Sequence, residues 1–134
     1  MTDPHPPSSI LLGRELISID PKTGHVHLSY TAKPEFANRH GTVQGGLLAA
    51  MLDSATGFAL MAQLPPELTA MTTQLDTSFL RPAKLGRLNA TARIIAWDER
   101  ARGERTAEVM GELTDADGQV VAKATATLRI VKRG

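Results

Sequence analysis

The groups best placed to do chemistry lie in one stretch, NRHGTVQGGLLAAMLDSATGFAL, residues 38–60. From Gly45 to about residue 62 the apolar residues recur at helical spacing, and Pro65 and Pro66 end the pattern because proline cannot continue a helix. Asp53 stands in the middle of this helix. Its neighbours on the helix surface, three and four residues away, are Ala49, Ala50, Thr56 and Gly57, all small, with Gly46 one turn beyond. The carboxylate therefore stands on a smooth stripe that another chain or a ligand could approach. Such an aspartate can also do no more than hydrogen-bond to neighbouring backbone. Burying it unpaired costs several kcal/mol, so that reading requires a structural partner.

The residues in front of the helix favour chemistry. A helix beginning at Gly45 or Gly46 turns free backbone N–H groups and the positive end of its dipole toward an incoming oxygen. Glycine lets that oxygen come close. Asp53 lies two turns further on, roughly 10 to 12 Å along the axis. That is too far for both features of one chain to act on one carbonyl. Two paired chains solve the distance, with the helix start of one opposite the aspartate of the other.

The elements that position these residues follow from period and turn signals. LISID and HVHLSYTA are β-prone runs separated by the turn-forming PKTG, and they predict a hairpin between residues 10 and 32. KPEFANRHGTV reads as a loop leading into the helix. Strands are expected at about 70 to 80, about 87 to 97 and about 104 to 114. A DADG turn then leads to a last strand, QVVAKATATLRIVKR. One helix set apart from antiparallel strands makes an α+β domain. A helix apolar nearly all round must be covered on most sides, which a curved sheet of five or six strands wrapped around it can do. Leu47, Leu48, Met51, Leu52, Ala55, Phe58 and Ala59 are the expected interior residues. Residues 1–9, rich in proline and serine, read as a disordered leader, and 10–134 as the domain.

Composition narrows the classes of function. A chain of 134 residues holds one core and not two. Its net charge of +1, with no basic block interleaved with aromatics, argues against a nucleic-acid surface. With no cysteine, disulfides, thiolate catalysis and cysteine-ligated zinc are excluded. The first residues lack the pattern of a signal peptide, and the apolar helix is too interrupted to span a membrane, so a cytoplasmic protein is expected. His25 and His27 alternate along a strand with no third ligand beside them, so no metal site is expected. No G-x-S-x-G elbow or P-loop occurs.

At N-x-x-G-T-V-Q-G-G-x(6)-D, continued by SFLRPAKLG at 78–86, the chain resembles the hotdog-fold acyl-CoA thioesterases of the phenylacetate-pathway type. The likeness runs loosely from residue 12 to 131. It implies a curved antiparallel sheet around one long helix, homodimers or homotetramers built by sheet edges, an acyl-CoA substrate and no separate cofactor. Residue by residue, Asp53 matches the general base or nucleophile, and Gly45 the position whose N–H polarises the thioester carbonyl. Asn38 matches an asparagine that positions substrate or water. Thr72 matches a hydroxyl residue beside the carboxylate, with Thr73 in its place if a bulge shifts the register. Gln44 stands where many relatives have histidine, and can donate a hydrogen bond but not carry a proton. Gly46 belongs to the glycine pair at the substrate, and Arg81 and Lys84 are candidates for the CoA phosphates, or for a solvated turn. The resemblance implies hydrolysis of acyl-CoA. A non-catalytic acyl-CoA-binding dimer and a hotdog enoyl-CoA hydratase remain as alternatives.

Overall fold

The computed structural model describes residues 6–99 and 103–134. Six strands form one sheet: β1 (Glu15–Ile19), β2 (Val26–Ala32), β3 (Leu68–Phe79), β4 (Gly86–Glu99), β5 (Arg105–Thr114) and β6 (Val120–Lys132). Their order is β1-β2-β4-β5-β6-β3, with every neighbouring pair antiparallel. The helix α2 (Gly45–Met61) enters between β2 and β3 in sequence, and β3 through β6 pack against it. This is the expected α+β architecture, with all the expected strands present. The run DERARGER, residues 98–105, lies partly outside the described residues.

Alternation explains how the helix is held. Along β4, β5 and β6 the inward positions include Ala90, Ala92, Ala107, Ala122, Ala124 and Ala126, all buried. Small inward side chains let the helix backbone come near the sheet, and the bulk that fills the core comes from the helix itself. Met51, Leu52 and Leu60 are wholly buried, and each contributes on the order of 1.5 to 3 kcal/mol by leaving water. Leu48, Ala55, Phe58 and Ala59 are buried as expected, and Leu47 is half-buried. One close approach is at Gly111, where a Cβ would stand 3.1 Å from Thr56 Cγ2 and 3.5 Å from Leu52 Cδ2.

The first described segment differs from expectation. A short helix, α1 (Pro7–Leu11), occupies part of the stretch read as a disordered leader, and Ser9 and Leu12 are buried. Proline at the first helical position needs no N–H partner and has its φ already set. Leu12 then anchors the segment on the core, a contact that reading the prolines and serines alone does not anticipate. Residues 1–5 of that leader lie outside the described residues.

Because Gly111 meets the helix at a contact tighter than ordinary packing, Gly111→Val should destabilise the fold by about 1 to 3 kcal/mol through overpacking. Thermal unfolding should show a melting temperature lowered by several degrees. An unchanged melting temperature would mean that helix and sheet have slack at this crossing.

Candidate active site

Asp53 lies on the one helix face that the sheet leaves open. It is exposed, while Leu52 and Ala55 beside it in sequence are wholly buried. β3 borders this face and supplies Thr72, whose Oγ1 donates to Asp53 Oδ1 at 2.7 Å. A short bond to a carboxylate helps to fix the side-chain rotamer through one of its two oxygens. The register of β3 decides which threonine makes it. A bulge between Thr72 and Gln74 leaves Thr72 opposite Leu128 on the inner face. Thr73 is the extra residue, and its hydroxyl donates to the Thr127 carbonyl at 3.2 Å. Thr56, expected on the open stripe, is instead buried, with its hydroxyl bonded back to the Leu52 carbonyl at 2.8 Å.

At the other end of the helix, Gln44 is the N-cap residue, and its carbonyl accepts from Leu47 and Leu48. Neither the Gly45 nor the Gly46 N–H has an acceptor among the described residues. A Cβ on Gly46 would stand 2.8 Å from Gln44 Oε1, and one on Gly45 3.4 Å from the Phe79 ring. The pair is thus bare backbone between two side chains, with Gly46 exposed. Asp53 stands eight positions after Gly45, about 12 Å along the axis. The structure brings Asp53 and Thr72 together, and it keeps both apart from the glycines of the same chain.

Asn38, half-buried, bonds within its own loop. Its Oδ1 accepts from the N–H groups of His40 at 2.9 Å and Thr42 at 3.2 Å, and its amide donates to Thr42 Oγ1 at 3.0 Å. It shapes the loop that delivers the chain into the helix. That loop is tied to RPAKLG by a bridge between Thr42 and Lys84 and by the Val43 N–H donating to the Ala83 carbonyl. Lys84 is therefore near the helix start and exposed. Arg81 turns to the β5–β6 connection, where it donates to Gln119 Oε1 at 3.1 Å.

Beside Asp53 opens a cavity of about 970 Å³ between α1, α2 and the start of β3. Phe58 and Met61 line it. Met51 is core, as expected, and Met71 is exposed on the outer side of β3, paired with Arg129. Sequence reading missed a polar group in this cavity. Ser54 Oγ accepts from the hydroxyl of wholly buried Tyr30 at 2.9 Å and from Arg14 Nη1 at 3.2 Å, and the Arg14 guanidinium lies 5.1 Å from the centre of the Phe58 ring. Ser54 follows Asp53 directly, but nothing in sequence placed Arg14 opposite it.

Comparison with known proteins matches residues 15–130 to the family described as Domain of unknown function (DUF4442). Among solved structures, a phenylacetic acid degradation-related protein from Ralstonia eutropha JMP134 is 39% identical, with a TM-score of 0.84 over 94% of this chain and 91% of that one. The PaaI protein from the phenylacetic acid degradation operon of E. coli is 27% identical, with a TM-score of 0.75 over 94% and 83%. Thioesterase HI1161 from Haemophilus influenzae shares the fold at 15% identity, with a TM-score of 0.82 over 93% and 82%.

The Asn38 bonds make a local prediction. In Asn38→Ala the His40 and Thr42 amides should exchange with solvent faster while β4, β5 and β6 keep their protection, as read by hydrogen exchange. Unchanged protection at both amides would show that the loop is held without that side chain.

Proposed function

We propose that this chain, which belongs to the hotdog-fold thioesterases of the phenylacetic acid degradation type and to the family of the Domain of unknown function (DUF4442), hydrolyses acyl-CoA thioesters as a dimer. The observation that carries the reading is the Thr72-held carboxylate on an open helix face, with unpaired amides at the start of the same helix.

Dimerisation is supported by the edge of the sheet. β3 is twelve residues long and is paired only with β6 among the described strands, and Met71 and Phe79 within it, with Leu80 just after it, are more than half exposed. A long apolar edge strand of this kind is a template for another strand. Edge-to-edge pairing of β3 with its copy joins two sheets around two helices. It carries Asp53, which β3 borders, toward the partner's helix start.

In the proposed reaction the thioester carbonyl oxygen lies against the Gly45 N–H of one subunit, which together with the helix dipole stabilises the oxyanion as it forms. Gln44 donates a further hydrogen bond to that oxygen. The Asp53 carboxylate of the other subunit either takes a proton from water as that water attacks the carbonyl carbon, or attacks the carbon itself to form an anhydride that water then opens. In both routes the C–S bond breaks and CoA departs as thiolate, leaving the free acid. Thr72 orients the carboxylate, and Asn38 acts as a positioning residue through its loop. Lys84, exposed near the helix start, meets the CoA phosphates, and Arg81 of the same RPAKLG segment is its candidate companion. No cofactor is needed beyond the CoA of the substrate. Among the described residues no helix is long and apolar enough to cross a membrane.

Asp53→Asn should lower thiol release from an acyl-CoA panel by about 10²- to 10⁴-fold. Thr72→Val, which removes one bond to a charged group, should lower it by roughly 10- to 100-fold. Unchanged hydrolysis in Asp53→Asn would refute the assignment. Tight acyl-CoA binding by wild type with no thiol release would make the protein a binding module, and addition of water to an enoyl-CoA with its thioester intact would make it a hydratase. Separately, Met71→Lys combined with Leu80→Lys should shift sedimentation velocity toward the monomer and take activity with it. A dimer that survives both lysines would place the interface elsewhere.

A further inference from the structure

The cavity beside Asp53 follows α2 toward its C-terminal end, and one turn past the carboxylate its wall is a glycine. Asp53, Gly57 and Met61 line it at successive turns, so Gly57 stands about 6 Å and Met61 about 12 Å beyond Asp53 along the axis. Leu64 and Leu68, just past the helix, and Leu128 of β6 add apolar lining. The two arginines among the described lining residues are engaged locally. Arg14 donates to Ser54 Oγ at 3.2 Å and lies over the Phe58 ring, and Arg133 donates to the carbonyls of Pro66 at 3.1 Å and Leu68 at 3.2 Å.

Gly57 is unexpected on helix grounds. Glycine inside a helix costs stability relative to alanine, because it gives up more backbone freedom on folding. Tight packing can require it nonetheless, as at Gly111, where a Cβ would press on Thr56. Nothing of the kind holds at Gly57. Beyond its chain neighbours and its own stretch of helix backbone, no described atom lies within 4 Å of the place a Cβ would take. What the missing side chain leaves there is open cavity.

Resting on the thioesterase reading, we propose that Gly57 is a specificity-determining residue, which keeps the cavity open for the tail of a medium-chain hydrocarbon acyl group lying along α2 from Asp53 past Gly57 toward Met61. The thioester carbonyl stays at the glycine pair of one subunit, and the tail enters the cavity of the subunit that supplies Asp53. A butyryl tail ends short of Gly57, and an octanoyl tail passes it. Each further methylene that leaves water for the apolar lining strengthens binding of the longer chain. A side chain at position 57 stands in the path of that chain alone.

The test measures thiol release from butyryl-CoA and octanoyl-CoA by wild type, Gly57→Ala and Gly57→Val. Wild type should favour octanoyl-CoA in kcat/KM. The octanoyl-to-butyryl ratio should fall about tenfold or more in Gly57→Val, and by less in Gly57→Ala. Because alanine suits a helix better than glycine, Gly57→Ala should melt at the wild-type temperature or above it. A lower melting temperature would mean that packing requires the glycine, and would overturn the proposal. So would a wild type that does not favour octanoyl-CoA, or a ratio that is the same in all three proteins. Should wild type release thiol from neither substrate, the thioesterase reading fails, and calorimetric binding decides this one. Octanoyl-CoA binding weakened relative to butyryl-CoA binding in Gly57→Val upholds it, and parallel binding of the two overturns it.

Discussion

A helix apolar on nearly every side can be stable only if something covers nearly every side, and that constraint organises this molecule. The sheet meets it by presenting alanines and Gly111 inward, so that β3 through β6 close on α2 and the helix supplies the bulk of the core. Whatever the sheet does not reach becomes conspicuous. The face that stays open carries Asp53, and the helix start that stays bare carries Gly45 and Gly46. A helix buried this fully is rigid, so its two exposed features are held in a fixed relation about 12 Å apart. The same packing that stabilises the fold thereby separates a carboxylate from the amides with which it would have to cooperate.

That separation gives the edge strand its importance. β3 does three things at once: it covers the helix, it pins the Asp53 side chain through Thr72, and it ends the sheet with a long row of outward-facing backbone groups and exposed apolar side chains. A strand left in this state in a lone subunit is a liability. In the proposed dimer it would be the interface, and the two half-sites would face each other. On the proposed reading, stability and chemistry make the same demand on the molecule, which is a second copy of it.

Much of this is legible in the amino-acid sequence, because its signals are periodic. The helix and strands follow from spacing, and the aspartate stood out as a carboxylate in an apolar run. What period could not supply was position within a turn or a bulge. Thr72 and Thr73 are adjacent and chemically alike, and only the bulge in β3 assigns the first to Asp53 and the second to the Thr127 carbonyl. Thr56 is spaced to share the open face, yet the near approach of Gly111 draws it into the core. Asn38 sits at a motif position but is engaged by its own loop, since asparagine four residues before a threonine can close that loop locally. Arg14 was invisible for a different reason: it lies forty residues from Ser54 in sequence, behind a segment whose prolines read as unstructured.

The central claim is that each site is shared between two chains, and subunit exchange tests it most directly. One preparation carries Asp53→Asn and keeps its glycines; the other carries Gly46→Val, whose side chain obstructs the exposed helix start, and keeps its aspartate. Each alone should be inactive. On mixing and exchange, thiol release should reappear, because the hybrid joins an intact aspartate from one chain to an intact helix start from the other. Activity that stays absent in hybrids shown to have formed would contradict the shared site and return the chemistry to a single chain.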